Sequence, residues 1–154
     1  MNKLVSATQI SDKAIQSFKS GFNCSQSVLT AYSDFLDLDD DIAQSVSCGF
    51  GAGMGRLQET CGAVTGSYMV LSTYSCKKFI DNNDRKEYSY KMIQDFNGKF
   101  IEKHKTTNCR LLLNCDLMTE EGQQQVQVNK LTETVCEVCI SDSINIINEL
   151  IETK

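Results

Sequence analysis

The 154-residue sequence contains no proline and a single histidine. Without proline, no position loses its backbone N–H and collides with the preceding helical turn, so the strongest helix breaker is missing. The lone imidazole, His104, falls between Lys103 and Lys105 on the polar side of a predicted helix. That setting suits a solvated side chain better than a general base and argues against a Cys-His hydrolase. No stretch approaches the roughly 18 apolar residues of a membrane span. The segment Met1–Thr8 lacks the apolar run of roughly 7–15 residues that an export signal carries. A cytoplasmic protein without membrane insertion is expected. Twenty acidic residues against fifteen basic ones, a net charge of −5, leave no Lys and Arg excess to neutralise phosphates, so nucleic acid is not an expected partner.

What the chain does have is eight cysteines. A domain of this size can bury a core without disulfide staples. In a cytosol that keeps thiols reduced, so many cysteines point to redox, metal or catalytic use more than to structural bridges. The bland alternative is that unpaired Cys is also a common small core residue.

Apolar spacing predicts helices throughout. Ala7, Ile10, Ala14 and Phe18 recur at helical intervals before Gly21, a natural helix end. Asn23 can cap a second helix with Cys24, Val28, Ala31 and Phe35 as its buried stripe, running to the acidic turn Asp37–Asp41. A shorter helix follows from Asp40 to about Cys48. Between Cys48 and Arg56, four glycines make a continuing helix too costly, which predicts an ordered loop at 49–55. Thr60 can cap the next helix, with Cys61, Val64, Tyr68, Leu71 and Ser75 on one face and Gly62 and Gly66 placed for a close helix crossing. Tyr88, Met92, Phe96 and Phe100 mark a long helix from Asp84 to about Lys105. Asn108 precedes a short one, Cys109–Leu113. Thr119–Lys130, rich in glutamine, reads equally as loop, polar helix or brief strand. Thr134 and Glu137 form a capping box before the stripe Cys136, Ile140, Ile144, Ile147 and Ile151. With no repeat or linker, the expected fold is all-α, a single helical domain over 1–154 with about five to seven helices.

A thiol reacts as its thiolate, which a helix N-terminus stabilises. Cys24, Cys61 and Cys109 each directly follow a predicted cap, and Cys136 lies one residue further into its helix. Cys48 and Cys76 fall near helix ends of the wrong polarity, Cys115 lies beyond its helix, and Cys139 sits a turn in. Helix position thus separates four candidate reactive thiols from four bystanders.

The same four thiols carry a resemblance. The run Cys61-Gly62-Ala63-Val64-Thr65-Gly66, preceded by Gly53-Met54-Gly55-Arg56 and Glu59-Thr60, resembles the central motif of the redox-active protein family named for its C-GCAxxG-C-C pattern. Gly21-Phe22-Asn23-Cys24, followed by a helix, is similar to that family's first segment. Cys109-Arg110-Leu111-Leu112-Leu113 with Asp116 is similar to its third, and Cys136 to its fourth cysteine. The family's usual glycine after the leucines is Asn114 here, a residue that tolerates positive φ. The resemblance spans about residues 15 to 150, and implies a helical fold and a redox role.

The leading expectation is a thiol-based oxidoreductase in which Cys24, Cys61, Cys109 and Cys136 converge for thiol–disulfide exchange or electron transfer, with a redox protein or small-molecule thiol as partner. That chemistry requires no cofactor. The alternative is an iron–sulfur cluster or zinc held by the same four thiols, the count a tetrahedral site takes. Their scatter along the chain lacks the paired C-x-x-C knuckles of compact zinc sites. Cys136 and Cys139 do make one C-x-x-C, facing one side of a helix, but without the βαβ surroundings of a thioredoxin-like motif. A non-enzymatic helical binding module is the third class, and homo-oligomerisation is left open. The glycine-rich loop fits neither dinucleotide nor P-loop spacing and is expected to pack close to the Cys61 helix. Asp37 and Asp39–Asp41 lack the twelve-residue calcium loop and are expected to cap helices. Arg56 can pair with Glu59, and Arg56 and Arg110 can lower the pKa of nearby thiols.

Overall fold

In the computed structural model, which describes residues 1–153, the backbone is helical and no strand occurs among the described residues. Ser6 and Gln9 close a capping box on α1 (Ala7–Lys19), and Asn23 and Gln26 do the same for α2 (Cys24–Ala31). These reciprocal bonds satisfy N–H groups that a helix start leaves without partners. The helical path breaks at Tyr32, so Phe35 sits on a separate turn, α3 (Ser33–Leu36), and not on an extension of α2. Asp37 ends that turn with φ 49°, Asp39 caps α4 (Asp40–Ser47), and Asp40 accepts from the Ser33 hydroxyl. The acidic run therefore serves helix ends, as its composition implied.

Cys48–Phe50 form a tight turn leading into α5 (Gly51–Met54), whose residues Ala52 and Gly53 wind left-handed at φ 53° and 68°. Met54, Gly55 and Arg56 continue with φ 65°, 65° and 66°. For the non-glycine members this costs roughly 1–2 kcal/mol each, because the β-carbon crowds the following carbonyl. The expected loop at 49–55 is thus an ordered left-handed turn.

The central helices are α2 and α6 (Gly62–Lys78), and Gly66 lets them approach closely. A β-carbon there would stand 2.8 Å from the Ser25 carbonyl oxygen and 3.1 Å from the Val28 β-carbon. Val28, Leu29, Val64 and Leu71 are fully buried in the contact. Asp81 caps α7 (Asn82–His104), which lays Met92, Phe96 and Phe100 on the core and ends at Lys105 with φ 68°. Asn108 caps α8 (Cys109–Leu113), and Asn114 closes it at φ 51°, the conformation that glycine would otherwise supply.

Two expectations about helix starts are corrected. Thr60 does not cap α6: it makes an isolated bridge to Asn108, and Cys61 itself occupies the cap position. Thr134 and Glu137 do not form a capping box, because the backbone is already helical there. A wide turn over Thr132–Cys136 runs straight into α10 (Glu137–Glu152), and the Thr134 hydroxyl donates to the Lys130 carbonyl. The glutamine-rich stretch resolves as α9 (Glu120–Val128), capped by Thr119. The last helix drives Ile140, Ile144 and Ile147 into the core, where the Tyr32 hydroxyl donates to Asn148 Oδ1 at 2.6 Å.

No helix among the described residues is long and apolar enough to cross a membrane.

Candidate functional site

An almost wholly apolar cavity of about 180 Å³ opens where α2, α6, α8 and α10 meet, and Cys24, Cys61, Cys109, Cys136 and Cys139 all contribute to its wall. Leu112, Leu113, Val126 and Val135 supply apolar lining between them. The four thiols singled out by helix position are thus brought together, and a fifth joins them.

Local backbone bonds explain the convergence. The Cys61 N–H donates to the Thr107 carbonyl at 2.7 Å, and the Cys109 N–H donates to the Glu59 carbonyl at 2.7 Å. This pair of bonds flanks the Thr60–Asn108 bridge and locks the start of α6 beside the start of α8. Gln58 reinforces the junction from a buried position, donating to the Cys115 carbonyl at 2.9 Å and accepting from the Leu117 N–H at 2.8 Å. The left-handed turn fits underneath, since a β-carbon on Gly53 would come 2.7 Å from the Cys109 β-carbon. Gly62 plays the matching part for Cys24, whose Sγ occupies the space a β-carbon would need.

The thiols differ electrostatically. Hydrogen bonding from the Cys139 thiol holds Cys61 below its ordinary pKa; burial opposes this, and the backbone amides of Ala63 and Val64 add to the lowering. Cys139 is correspondingly held protonated, first by that hydrogen bond to Cys61 and then by burial. Burial pushes Cys24 up to about 11, helped by the nearby Cys61, although amides including that of Ala52 pull the other way. Burial likewise drives Cys109 to about 12, and it raises Cys136 strongly. Of the four thiols expected at helix starts, only Cys61 is shifted toward its thiolate, and Cys136 lies inside a continuous helical path and not at a helix start. At Cys24 and Cys109 desolvation outweighs the N–H groups at the helix start.

Of the expected bystanders, Cys48 and Cys76 are exposed and away from the cavity. Cys115 packs with Cys109 and Leu113 in a small second cluster. Arg110 pairs with Asp116 at 3.0 Å and moderates the rise of Cys115, and among the described residues no ion pair joins Arg56 to Glu59. Cys139 departs from the expectation, because it lines the same cavity as Cys61. So does His104: its ring is 14% exposed, stacks on Phe100 with centroids 4.4 Å apart, and meets the Asp142 carboxylate at 2.9 Å. The Cys136–Cys139 pairing pointed toward the first of these. The second was hidden because Asp142 lies on another helix.

Among the described residues, no three Cys, His, Asp or Glu side chains stand together as a metal site. As arranged, the cavity presents one thiol biased toward thiolate among several held neutral, the pairing that disulfide exchange uses.

The family model described as "Putative redox-active protein (C_GCAxxG_C_C)" matches residues 22–150. The chain belongs to the C_GCAxxG_C_C family. No curated protein and no solved structure matches it. The C_GCAxxG_C_C match takes in all five cavity cysteines, α2 through most of α10, and the glycines that bring them together.

Proposed function

We propose that the protein is a thiol–disulfide oxidoreductase in which Cys61 is the nucleophile and Cys24, Cys109 and Cys136 complete the thiol site. The observation that carries this reading is the contrast inside one cavity. Cys61 is biased toward the thiolate that attacks, while its neighbours stay protonated and cannot repel it with a second charge.

The exchange runs in two steps. Cys61 Sγ attacks a disulfide sulfur of the partner, a new S–S bond forms, and the partner's other sulfur departs as a thiolate. A second thiol of the cavity then gives up its proton and attacks Cys61 Sγ. A disulfide closes within the protein and the second partner thiolate is released. Two electrons pass from the protein thiols to the partner disulfide. A reducing thiol pool would return the protein to its thiol form, the form in which the cysteines stand free here.

The test is a redox titration of the protein purified without oxygen. The expected result is a colourless protein with a reversible two-electron transition that Cys61→Ser abolishes. Stoichiometric iron and acid-labile sulfide with visible absorbance would replace this reading by a cluster-based one. An unchanged transition in Cys61→Ser would remove Cys61 as the nucleophile.

A further inference from the structure

The cavity wall continues outward through Cys139. Its Sγ lies 4.0 Å from His104 Nδ1, on the side of the ring opposite the bond between Nε2 and Asp142 Oδ2. Asp142 follows Cys139 by three residues on α10, so both face the end of α7 where His104 sits. The other carboxylate oxygen of Asp142 accepts from Lys103 Nζ at 2.7 Å, and Phe100 stacks against the imidazole. The ring is therefore held on two sides with little freedom to turn. The order Cys61, Cys139, His104, Asp142 runs from a buried sulfur to a carboxylate that is 21% exposed.

We propose that Cys139 is the thiol that resolves the Cys61 mixed disulfide, and that His104, positioned by Asp142, is the base that takes its proton. The inference rests on the exchange reading above and names the second thiol that reading requires.

The hydrogen-bond network supplies the reason. With Asp142 Oδ2 accepting from Nε2–H, the tautomer is set so that the Nδ1 lone pair faces Cys139. When Cys61 is ionised, its sulfur is an acceptor for the Cys139 thiol in the same cavity wall. Once Cys61 Sγ is bonded to a partner sulfur, its negative charge is gone and that acceptor is weakened. Nδ1, 4.0 Å from Cys139 Sγ, is then the acceptor available to it. The proton passes from Cys139 Sγ to Nδ1, and Asp142 stabilises the imidazolium. Cys139 Sγ attacks Cys61 Sγ, the Cys61–Cys139 bond forms, and the departing thiolate takes the proton from His104. The first thiolate to leave is protonated by solvent. The titratable groups set against the imidazole are Cys139 and Asp142 from α10 and, through Asp142, Lys103 from α7.

The experiment mixes full-length protein carrying Cys48→Ser and Cys76→Ser with one equivalent of 5,5′-dithiobis(2-nitrobenzoate), whose thiolate product is coloured. The first release reports attack by Cys61 and the second reports resolution. His104→Gln is expected to keep the first release and slow the second by about 10²-fold, the range of a lost general base, with the pH dependence of the second step flattened. Asp142→Asn should slow the same step, whereas Asp142→Glu should restore part of it. Cys139→Ser should halt after one release, with the mixed disulfide mapped to Cys61 by mass spectrometry. Absence of the first release in the parent protein would defeat the exchange reading itself. A normal first release followed by an undiminished second one in Cys139→Ser, or in His104→Gln, would overturn the present inference and assign resolution to another thiol or base.

Discussion

The Sγ of Cys24 fills the space that a side chain on Gly62 would occupy. The motif glycine beside Cys61 is thus the seat of a second cysteine, and the two thiols influence each other's charge because of it. Gly62→Ala is expected to push Cys24 away from Cys61 and to cost about 1–3 kcal/mol, the usual range for overpacking a filled interior. Urea unfolding would measure the loss. An unchanged midpoint would mean that Cys24 moves aside freely.

Thiol reactivity should follow charge state, with Cys61 leading the buried set. In protein carrying Cys48→Ser and Cys76→Ser, limiting iodoacetamide at neutral pH is expected to label Cys61 before Cys24 or Cys109. The Cys61 rate should inflect below 9.0, while Cys24 and Cys109 inflect near 11 and 12. Peptide mapping at increasing pH gives the order, and early labelling of Cys24 would contradict it.

Alkaline pH should weaken the fold through the buried thiols. The folded-state pKa of Cys24 is raised from 9.0 to about 11, so the stability it contributes is complete below 9 and is lost as pH rises through that interval. Between pH 8 and 10.5 the loss from this group is about 2 kcal/mol, at 1.36 kcal/mol per tenfold change in proton affinity. Cys61 has the opposite sign, since its lowered pKa adds stability as pH climbs toward 9.0, and it contributes no slope above that. Cys109 and Tyr32 add to the alkaline loss. Unfolding of Cys24→Ala should accordingly show a shallower decline over this range than the parent, and equal slopes would refute the assignment.

Two helix glycines should respond with opposite signs. Gly98 is exposed within α7 and has open space where a β-carbon would stand, with nothing within 4 Å, so Gly98→Ala should gain about 1 kcal/mol of helix propensity. Gly66→Ala gains the same propensity but drives a β-carbon to 2.8 Å from the Ser25 carbonyl oxygen. Its overpacking cost, about 1–3 kcal/mol, should prevail. Denaturation midpoints of the two variants decide the matter.

Much of this architecture is legible in the residues because it depends on neighbours along the chain. Asn23, Asp39 and Asn108 cap helices through bonds to amides three residues on, and Asn114 ends α8 in the left-handed conformation expected of it. The stripe of Met92, Phe96 and Phe100 repeats once per turn and so finds the core. Thr60 and Thr134 read as caps by the same local logic, yet neither acts as one. Thr60 is drawn into a bridge with Asn108, and Thr134 lies in backbone already wound from Leu131 onward. Distant or preceding structure decided both.

Residue order alone establishes that the chain is helical, that Cys61 stands at a helix start beside glycines suited to close packing, and that Cys24 and Cys109 share such positions. Those properties follow from periodicity, capping and the absence of proline. Which thiol is biased toward its charged form depends on the folded surroundings, because desolvation is set by what encloses each sulfur. The fold also brings Cys139 into the cavity that Cys61 lines and His104 to meet Asp142, which places α10 beside the start of α6 and the end of α7. Spacing along a chain fixes where a side chain sits on its own helix, and packing alone fixes what stands opposite it.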